Sequence, residues 1–527
     1  MNNPPVNPKL QTSSFSSKTT PNISKNKAKE ELTHFQSPIP DYILSSFQKI
    51  WGYSEFRPPQ GEIVRTILEK KDALIVMPTG GGKSICFQLP AIIQTGLTLV
   101  LSPLVALMEN QIQELQQKNL PAASLHSELS TEKRRKTLQQ LQNNQLKLLY
   151  LSPETLLSKP VWSILIQPQI QITSLIIDEA HCIVQWGDTF RPAYRRLGVV
   201  RKALLKSKPP GTKISLAAFT ATADPSAQKT IKKVLQLQNP QPYLINPYRP
   251  NLHLKIKTIW TPRSRKQNLL KFIKNFPNQS GLVYVRTRKD SEILSEWLEE
   301  QGYNTSAYHA GLSAQERRII ETEWLEGEIQ FVVCTSAFGM GVNKPNVRWV
   351  IHYQPPAQLS EYLQEIGRAG RDGKPATALT LISEPTGWFD PQDKQQKQYF
   401  QNQRQKQYQK AKETLKKLPL QGDITTITKQ YPNADIALSL LDSTGSLTWN
   451  DPFNYSIKKP ATLTEPPNLN PNLTEYLQTK QCRWRFLLIS FGFPSDNNCG
   501  HCDNCLRGKG QYKIEHLPKQ KKIINIL

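Results

Sequence analysis

Met77-Pro78-Thr79-Gly80-Gly81-Gly82-Lys83-Ser84 is the stretch on which the fold turns. It follows a β-rich run, Ala73–Met77, and precedes an apolar segment, Ile85–Pro90. Strand, glycine loop and helix in that order cradle phosphate, because backbone N–H groups close around the anion and the helix N-terminus adds its positive end. Lys83 is expected to reach the β- and γ-phosphates of a nucleotide, and the Ser84 hydroxyl to ligate Mg²⁺. Thr79, Gly80, Gly81 and Gly82 complete the cradle. The strict pattern asks for Gly at position 77, where this chain has Met. The competing reading is a chance glycine turn, which the strand before and Lys-Ser after disfavour.

Outward from this loop, short β-rich runs alternate with polar helical stretches. Ala73–Met77, Leu97–Leu101, Lys147–Leu151, Leu175–Ile177 and Ile214–Ala218 form one series. Gly281–Val285, Thr305–Tyr308, Phe331–Cys334, Val347–Ile351 and Ala378–Ile382 form a second. The alternation predicts two α/β domains with mostly parallel sheets. In the first, Leu175-Ile176-Ile177 runs into Asp178-Glu179. This sets two carboxylates at a strand's C-terminal edge, where open α/β sheets bind ligands. Asp178 is expected to hold Mg²⁺, and Glu179 to orient and deprotonate an attacking water. At the end of the second, Gly367-Arg368-Ala369-Gly370-Arg371-Asp372 offers two arginines from a different domain. Such a pair suits the charge that develops on a γ-phosphate, although paired arginines are more often a surface ion-pair cluster.

The chain has 527 residues, a length that predicts three to four domains. Hydrophobic residues are 38% and charged residues 21%, which excludes a mainly disordered chain, a collagen and a disulfide miniprotein. Lys and Arg number 67 against 42 Asp and Glu, a net charge of +25 that calls for a polyanionic partner, nucleic acid first. The start, MNNPPVNPKL, has no apolar core of a secretory leader, and no stretch approaches the ~20 apolar residues of a membrane span. The expectation is a cytoplasmic protein with no membrane partner, in bacterial cytoplasm or nucleoid, or in the nucleus of a eukaryote. Four of the seven cysteines, Cys482, Cys499, Cys502 and Cys505, cluster near the end of the chain. Two-residue spacings aim successive thiolates at one tetrahedral Zn²⁺, and a full set of four sulfurs suggests a structural site. Soft thiolates also suit an iron–sulfur cluster. His501 lies beside them but is not needed as a ligand. Cys86, Cys182 and Cys334 read as small buried residues.

Together these motifs resemble a superfamily 2 helicase, and specifically a RecQ-type DNA helicase. Phe56-Arg57-Pro58-Pro59-Gln60 is similar to the family's segment upstream of the phosphate loop; the resemblance implies that Gln60, with Arg57 beside it, binds adenine. Asp178-Glu179-Ala180-His181 and the following Cys182-Ile183-Val184-Gln185-Trp186-Gly187 resemble the DEAH box and its aromatic-rich loop. Ala218–Ala223 resembles motif III, Ala337–Pro345 motif V and Gly367–Gly373 motif VI, in which the second arginine, Arg371, acts as the finger. The segments around Cys482-Arg483-Trp484-Arg485 and Cys499–Cys505 favour zinc. The resemblance implies two RecA-like domains, ATP with Mg²⁺ and Zn²⁺ as cofactors, and 3′→5′ unwinding of DNA in repair or recombination. It also implies single-stranded and forked DNA as substrate, with single-stranded-DNA-binding or recombination proteins as partners. After the Trp the family reads Gly-His-Asp-Phe-Arg-Pro, whereas here it is Gly187-Asp188-Thr189-Phe190-Arg191-Pro192. Trp186, Phe190 and Arg191 remain as candidate contacts to single-stranded DNA.

The expected layout is a disordered tail over 1–38, a first RecA-like domain over 39–243 and a second over 244–385. A winged-helix-like segment follows over 386–460, then a Pro-rich linker over 461–473, a zinc module over 474–510 and a basic tail over 511–527. Longer family members carry a winged helix and a helical domain after the zinc module, and the expectation is a short form with neither there. Within 405–459 the order helix, helix, helix, hairpin predicts a winged helix with Asp423 and Asn433 as caps. Ile436, Leu440, Leu441, Trp449 and Tyr455 would form its core, and Lys410, Lys412, Lys416, Lys417 and Lys429 a basic side. The alternative is a helical spacer. The competing functions are an RNA helicase or duplex translocase, or a DNA-annealing scaffold with a dead nucleotide site.

Overall fold

The computed structural model describes residues 39–184, 191–338, 342–458 and 471–507. Trp186, Phe190, the Gly339–Gly341 part of motif V, both terminal tails and most of the Pro-rich linker lie outside the described residues.

The first sheet has seven strands, in the order β3-β4-β2-β5-β6-β1-β7. They are β1 (Ala73–Val76), β2 (Leu97–Leu101), β3 (Ala122–Leu125), β4 (Leu148–Leu151), β5 (Ile172–Ile177), β6 (Ser215–Thr220) and β7 (Gln241–Leu244). Every pairing is parallel. The central strands are buried along their whole length, as parallel strands covered by helices on both faces must be.

A second parallel sheet contains β8 (Leu252–Ile259), β9 (Gly281–Tyr284), β10 (Thr305–Tyr308), β11 (Phe331–Cys334), β12 (Trp349–His352) and β13 (Ala376–Ser383). Its order is β10-β11-β9-β12-β13-β8. The zinc module is not a separate body. Tyr476, Trp484, Leu487 and Phe491 share one buried core with Leu252, Leu254 and Tyr362 of the second domain. Trp484 Nε1–H donates to the Leu252 carbonyl at 3.0 Å, and the Tyr476 hydroxyl donates to that of Tyr362 at 3.0 Å.

Between them, the helix Gln392–Leu415 leads into β14 (Gln421–Asp423), the helices Ile424–Gln430 and Ala434–Ser443, and the hairpin of β15 (Leu447–Trp449) and β16 (Asn454–Ile457). The three strands form an antiparallel sheet, β14-β16-β15. This is a winged-helix-like order, with one strand more than the sequence reading assigned. Leu440, Leu441, Trp449 and Tyr455 are buried in its own core, with Ile436 half-buried beside them. Asp423 caps its helix, accepting from Thr426 N–H at 3.0 Å. Asn433 differs from expectation. Its side chain makes no cap bond, and it starts the helix through a left-handed backbone, φ 63°, a conformation that Asn tolerates better than most residues.

The five lysines of the expected basic side are exposed. The helix Ala434–Ser443, however, packs on the first domain at the turn Pro192–Arg196. Arg195 pairs with Asp442 at 3.4 Å. The Arg196 guanidinium donates to the Pro452 carbonyl at 3.1 Å and lies over the Trp449 ring. Trp162 meets Phe453 edge-on.

Candidate functional site

The phosphate loop lies at the C-terminal end of β1, with Gly82 at the N-terminus of the helix Lys83–Ile93. Met77 explains how the loop tolerates a non-glycine first position. Its side chain fills the space beneath Gly81, where a Cβ would come within 2.7 Å of Met77 Cγ. The loop is braced from the other side by Gln60, which is buried. Gln60 Nε2 donates to the Gly81 carbonyl at 2.9 Å, and its Oε1 accepts from Arg57 N–H at 3.1 Å. The side-chain amide that the family resemblance assigns to adenine thus also touches the loop itself. Arg57 is exposed.

Lys83 Nζ is buried with no hydrogen-bond partner among the described residues, and stands 3.9 Å from Glu179 Oε1. A buried ammonium without a full set of acceptors is costly unless an anion completes it. Asp178 and Glu179 follow β5. Asp178 Oδ1 accepts from Glu179 N–H at 3.0 Å, and Glu179 takes a left-handed backbone, φ 48°. His181 Nδ1 lies 3.0 Å from Glu179 Oε2 and 3.1 Å from Thr220 Oγ1, so the motif III strand holds the DEAH-box carboxylate through a histidine. Burial and the neighbouring Glu179 charge push Asp178 upward. Burial pulls Glu179 upward too, but Lys83 and His181 outweigh it and hold Glu179 low. Ser84 and Asp178 are the oxygen donors that fit Mg²⁺ here, and the orphaned Lys83 fits the phosphate it accompanies.

The second domain closes on this loop. Thr79 Oγ1 donates to the Gly367 carbonyl at 3.1 Å. The Arg371 stem packs over Gly80, where a Cβ would lie 3.4 Å from Arg371 Cδ. Arg371 donates to Asn343 Oδ1 at 3.0 Å. Burial, with the Arg368 charge beside it, pulls Arg371 down to about 10, so it stays cationic at neutral pH. Arg249 adds a third guanidinium, bound to the Gly370 carbonyl. Positive charge crowded against a phosphate loop favours an anion between the domains.

Of the candidate DNA contacts, only Arg191 lies among the described residues; its guanidinium pairs with Glu154 at 3.5 Å. Sequence reasoning missed the ion pairs that tie the two domains together on another side, Arg318–Glu109 at 2.6 Å and Arg317–Glu128 at 3.5 Å. Nothing in the local pattern of those residues marks them, because their partners lie in the other domain.

The sulfurs of Cys482, Cys499, Cys502 and Cys505 all lie within 4.8 Å of one another. A Zn–S bond of about 2.3 Å gives a tetrahedron with edges of about 3.8 Å. Separations of 3.4, 3.9 and 4.0 Å fit that figure. Backbone N–H groups of Cys499, Cys502 and Arg483 point at the thiolates, and Arg483 is fixed by Asp503 at 2.9 Å. His501 instead packs against Tyr248 and His253.

Residues 57–231 match the DEAD/DEAH box helicase model, 264–373 the helicase conserved C-terminal domain and 468–506 the RecQ zinc-binding model. The chain is 51% identical over 474 residues to a Synechocystis sp. protein named ATP-dependent DNA helicase RecQ, covering 89% of this chain and 98% of that one. The chain belongs to the RecQ family of ATP-dependent DNA helicases. A RecQ of Haemophilus influenzae is 39% identical over 66% of this chain and 54% of its own length. A Bacillus subtilis RecQ is 32% identical over 88% and 67%. Among solved structures, Mycobacterium smegmatis helicase Lhr bound to single-stranded DNA and AMP-PNP aligns with TM-score 0.53 at 18% identity, over 79% of this chain and 60% of that one. Yeast Dbp5 bound to RNA and ADP BeF3 aligns with TM-score 0.53 at 16% identity, over 68% and 90%. Both show the fold alone. The RecQ chain uses ATP and Mg²⁺ in its cleft and carries zinc in its cysteine cluster. Among its described residues no helix is long and apolar enough to cross a membrane.

Proposed function

We propose that this RecQ helicase moves 3′→5′ along single-stranded DNA by closing and opening the cleft between its two sheets around ATP. The observation that carries the reading is the approach of Gly367 and Arg371 to Thr79 and Gly80 across that cleft. Lys83, with the loop Thr79–Gly82, binds the phosphates; Arg57 and Gln60 flank the adenine side. Ser84 and Asp178 hold the metal, which neutralises phosphate charge when bound. Glu179, low and ionised, accepts the proton of the attacking water, with His181 fixing its orientation. Arg368 and Arg371 complete the charge on the transferred group, so hydrolysis weakens the grip between domains and lets the cleft open.

Arg191, next to the loop that carries Trp186 and Phe190, is the proposed link from DNA to this cycle. The remaining steps of the reading are work in repair or recombination on forked substrates, in a bacterial cytoplasm, alongside single-stranded-DNA-binding or recombination proteins. The domain limits proposed are those given above, with the helix Ala434–Ser443 of the winged-helix-like segment 386–460 docked on the first domain. Single-turnover hydrolysis with and without single-stranded DNA tests the core. Stimulation by DNA that is lost in Arg371→Ala supports the reading, and unstimulated hydrolysis overturns it.

A further inference from the structure

Three large aromatic side chains stand exposed where the second sheet ends. Trp260 follows β8 and is 59% exposed; Trp388 and Phe389, in the turn after β13, are 84% and 63% exposed. Trp260 and Phe389 are neighbours, with ring centroids 6.1 Å apart. Exposed apolar groups gathered in one place mark a binding surface more often than scattered ones do.

The turn that carries them is strongly fixed. Glu384 is buried and accepts from Thr386 N–H and its hydroxyl at 2.6 Å each, and from Phe389 N–H at 3.0 Å. Gly387 turns the chain with φ 65°, and its neighbour Trp388 points to solvent. Asp390 is locked to the fully buried Arg265 at 2.7 Å, and Asp393 to the same guanidinium at 3.2 Å. A set of buried polar bonds thus holds hydrophobic rings in water.

Charge decides between occupants. All three carboxylates of segment 383–393 are consumed by these internal bonds. Arg263, just after Trp260 in the chain, and Lys394, lying against Gly387, are exposed. Aromatic faces bordered by exposed cations, with the local carboxylates turned inward to buried partners, fit a polyanion that offers flat bases. Position agrees. The arginines that face the nucleotide lie in the segment just before β13, whereas the aromatic group lies at the far, C-terminal end of β8 and β13. Eight residues of β8 put about 25 Å between them. Open α/β sheets bind ligands at the C-terminal edge, and here that edge is free of the nucleotide.

We infer that Trp260, Trp388 and Phe389 form a stacking platform for the bases of single-stranded DNA, with Arg263 and Lys394 holding its phosphates. This rests on the helicase reading and adds a second contact to the strand, on the second RecA-like domain. The test is fluorescence anisotropy of labelled oligothymidine with the full chain. Trp388→Ala and Phe389→Ala should each weaken binding about tenfold, the weight of one stacked base. Trp388→Phe, which keeps a stacking face, should stay within about twofold of wild type. Because Trp388 makes little of the core, its melting temperature should not move. If both alanine variants bind within twofold of wild type, the platform is refuted and the surface belongs to a protein partner. If the wild-type chain binds no oligothymidine, the helicase reading and the platform fall together.

Discussion

Trp484→Ala should destabilise the whole second RecA-like domain, not only the zinc module in which Trp484 sits. The indole is 1% exposed, stacks edge-on against Tyr248 and donates to the Leu252 carbonyl on β8. Burying a tryptophan removes roughly 200 Å² from water, about 5 kcal/mol at ~25 cal/mol per Å². That agrees with the 3–5 kcal/mol measured for such truncations, about 4 kcal/mol as a working value. The Leu252 carbonyl, left unpaired inside the core, adds ~1 kcal/mol. At about 3 °C per kcal/mol for a unit of this size, the shared transition should fall by roughly 15 °C. Thermal unfolding would be followed by intrinsic fluorescence and by a zinc-sensitive dye in the same sample. Zinc release and loss of domain structure should coincide in both proteins and shift down together in the variant. An early zinc release with an unmoved domain transition would refute the shared core.

Glu179→Gln should retain nucleotide but lower hydrolysis by ~10²–10⁴, read by phosphate release beside equilibrium binding of a fluorescent nucleotide. Lys83→Ala should lose turnover, because the phosphates lose their fixed cation; normal turnover would remove Lys83 from the site. Arg371→Ala should lower kcat by about 10³ with nucleotide affinity largely kept. Metal analysis should find about one zinc per chain, and a brown chromophore would contradict the tetrahedral thiolate site. Trp186→Ala should reduce DNA-stimulated hydrolysis more than basal hydrolysis. An equal fall in both, with lower melting temperature, would make Trp186 a core residue.

What the sequence made legible follows from burial. Interior strands such as β1, β2 and β5 are covered on both faces and so read as continuous apolar runs. The strands that escaped sequence reading, β3, β7, β8 and β14, all lie at sheet edges. Ala122–Leu125 is short and built mostly of small residues, Gln241–Leu244 is short, contains Pro242 and is largely exposed, and Leu252–Ile259 alternates because one face is wet. The chemistry of the nucleotide site was legible because Gly-Gly-Gly-Lys-Ser and Asp-Glu are local signals. Its assembly was not, since Thr79 meets Gly367 across 288 residues of chain. The same holds for Trp484. Its place in a cysteine motif was plain, but its bond to Leu252 was not. The lysines of the winged-helix-like module were read as a basic side and are exposed. That its helix Ala434–Ser443 faces Arg195 depends on a docking that no periodicity encodes.

Strand displacement measures the central claim most directly. A forked DNA duplex with a 3′ single-stranded arm, its RNA counterpart and a fork with only a 5′ arm would be compared, each with ATP and Mg²⁺. The account predicts displacement of the 3′-armed DNA fork alone, dependent on ATP and abolished in Glu179→Gln. Equal unwinding of RNA, or displacement without ATP that survives Glu179→Gln, would contradict it.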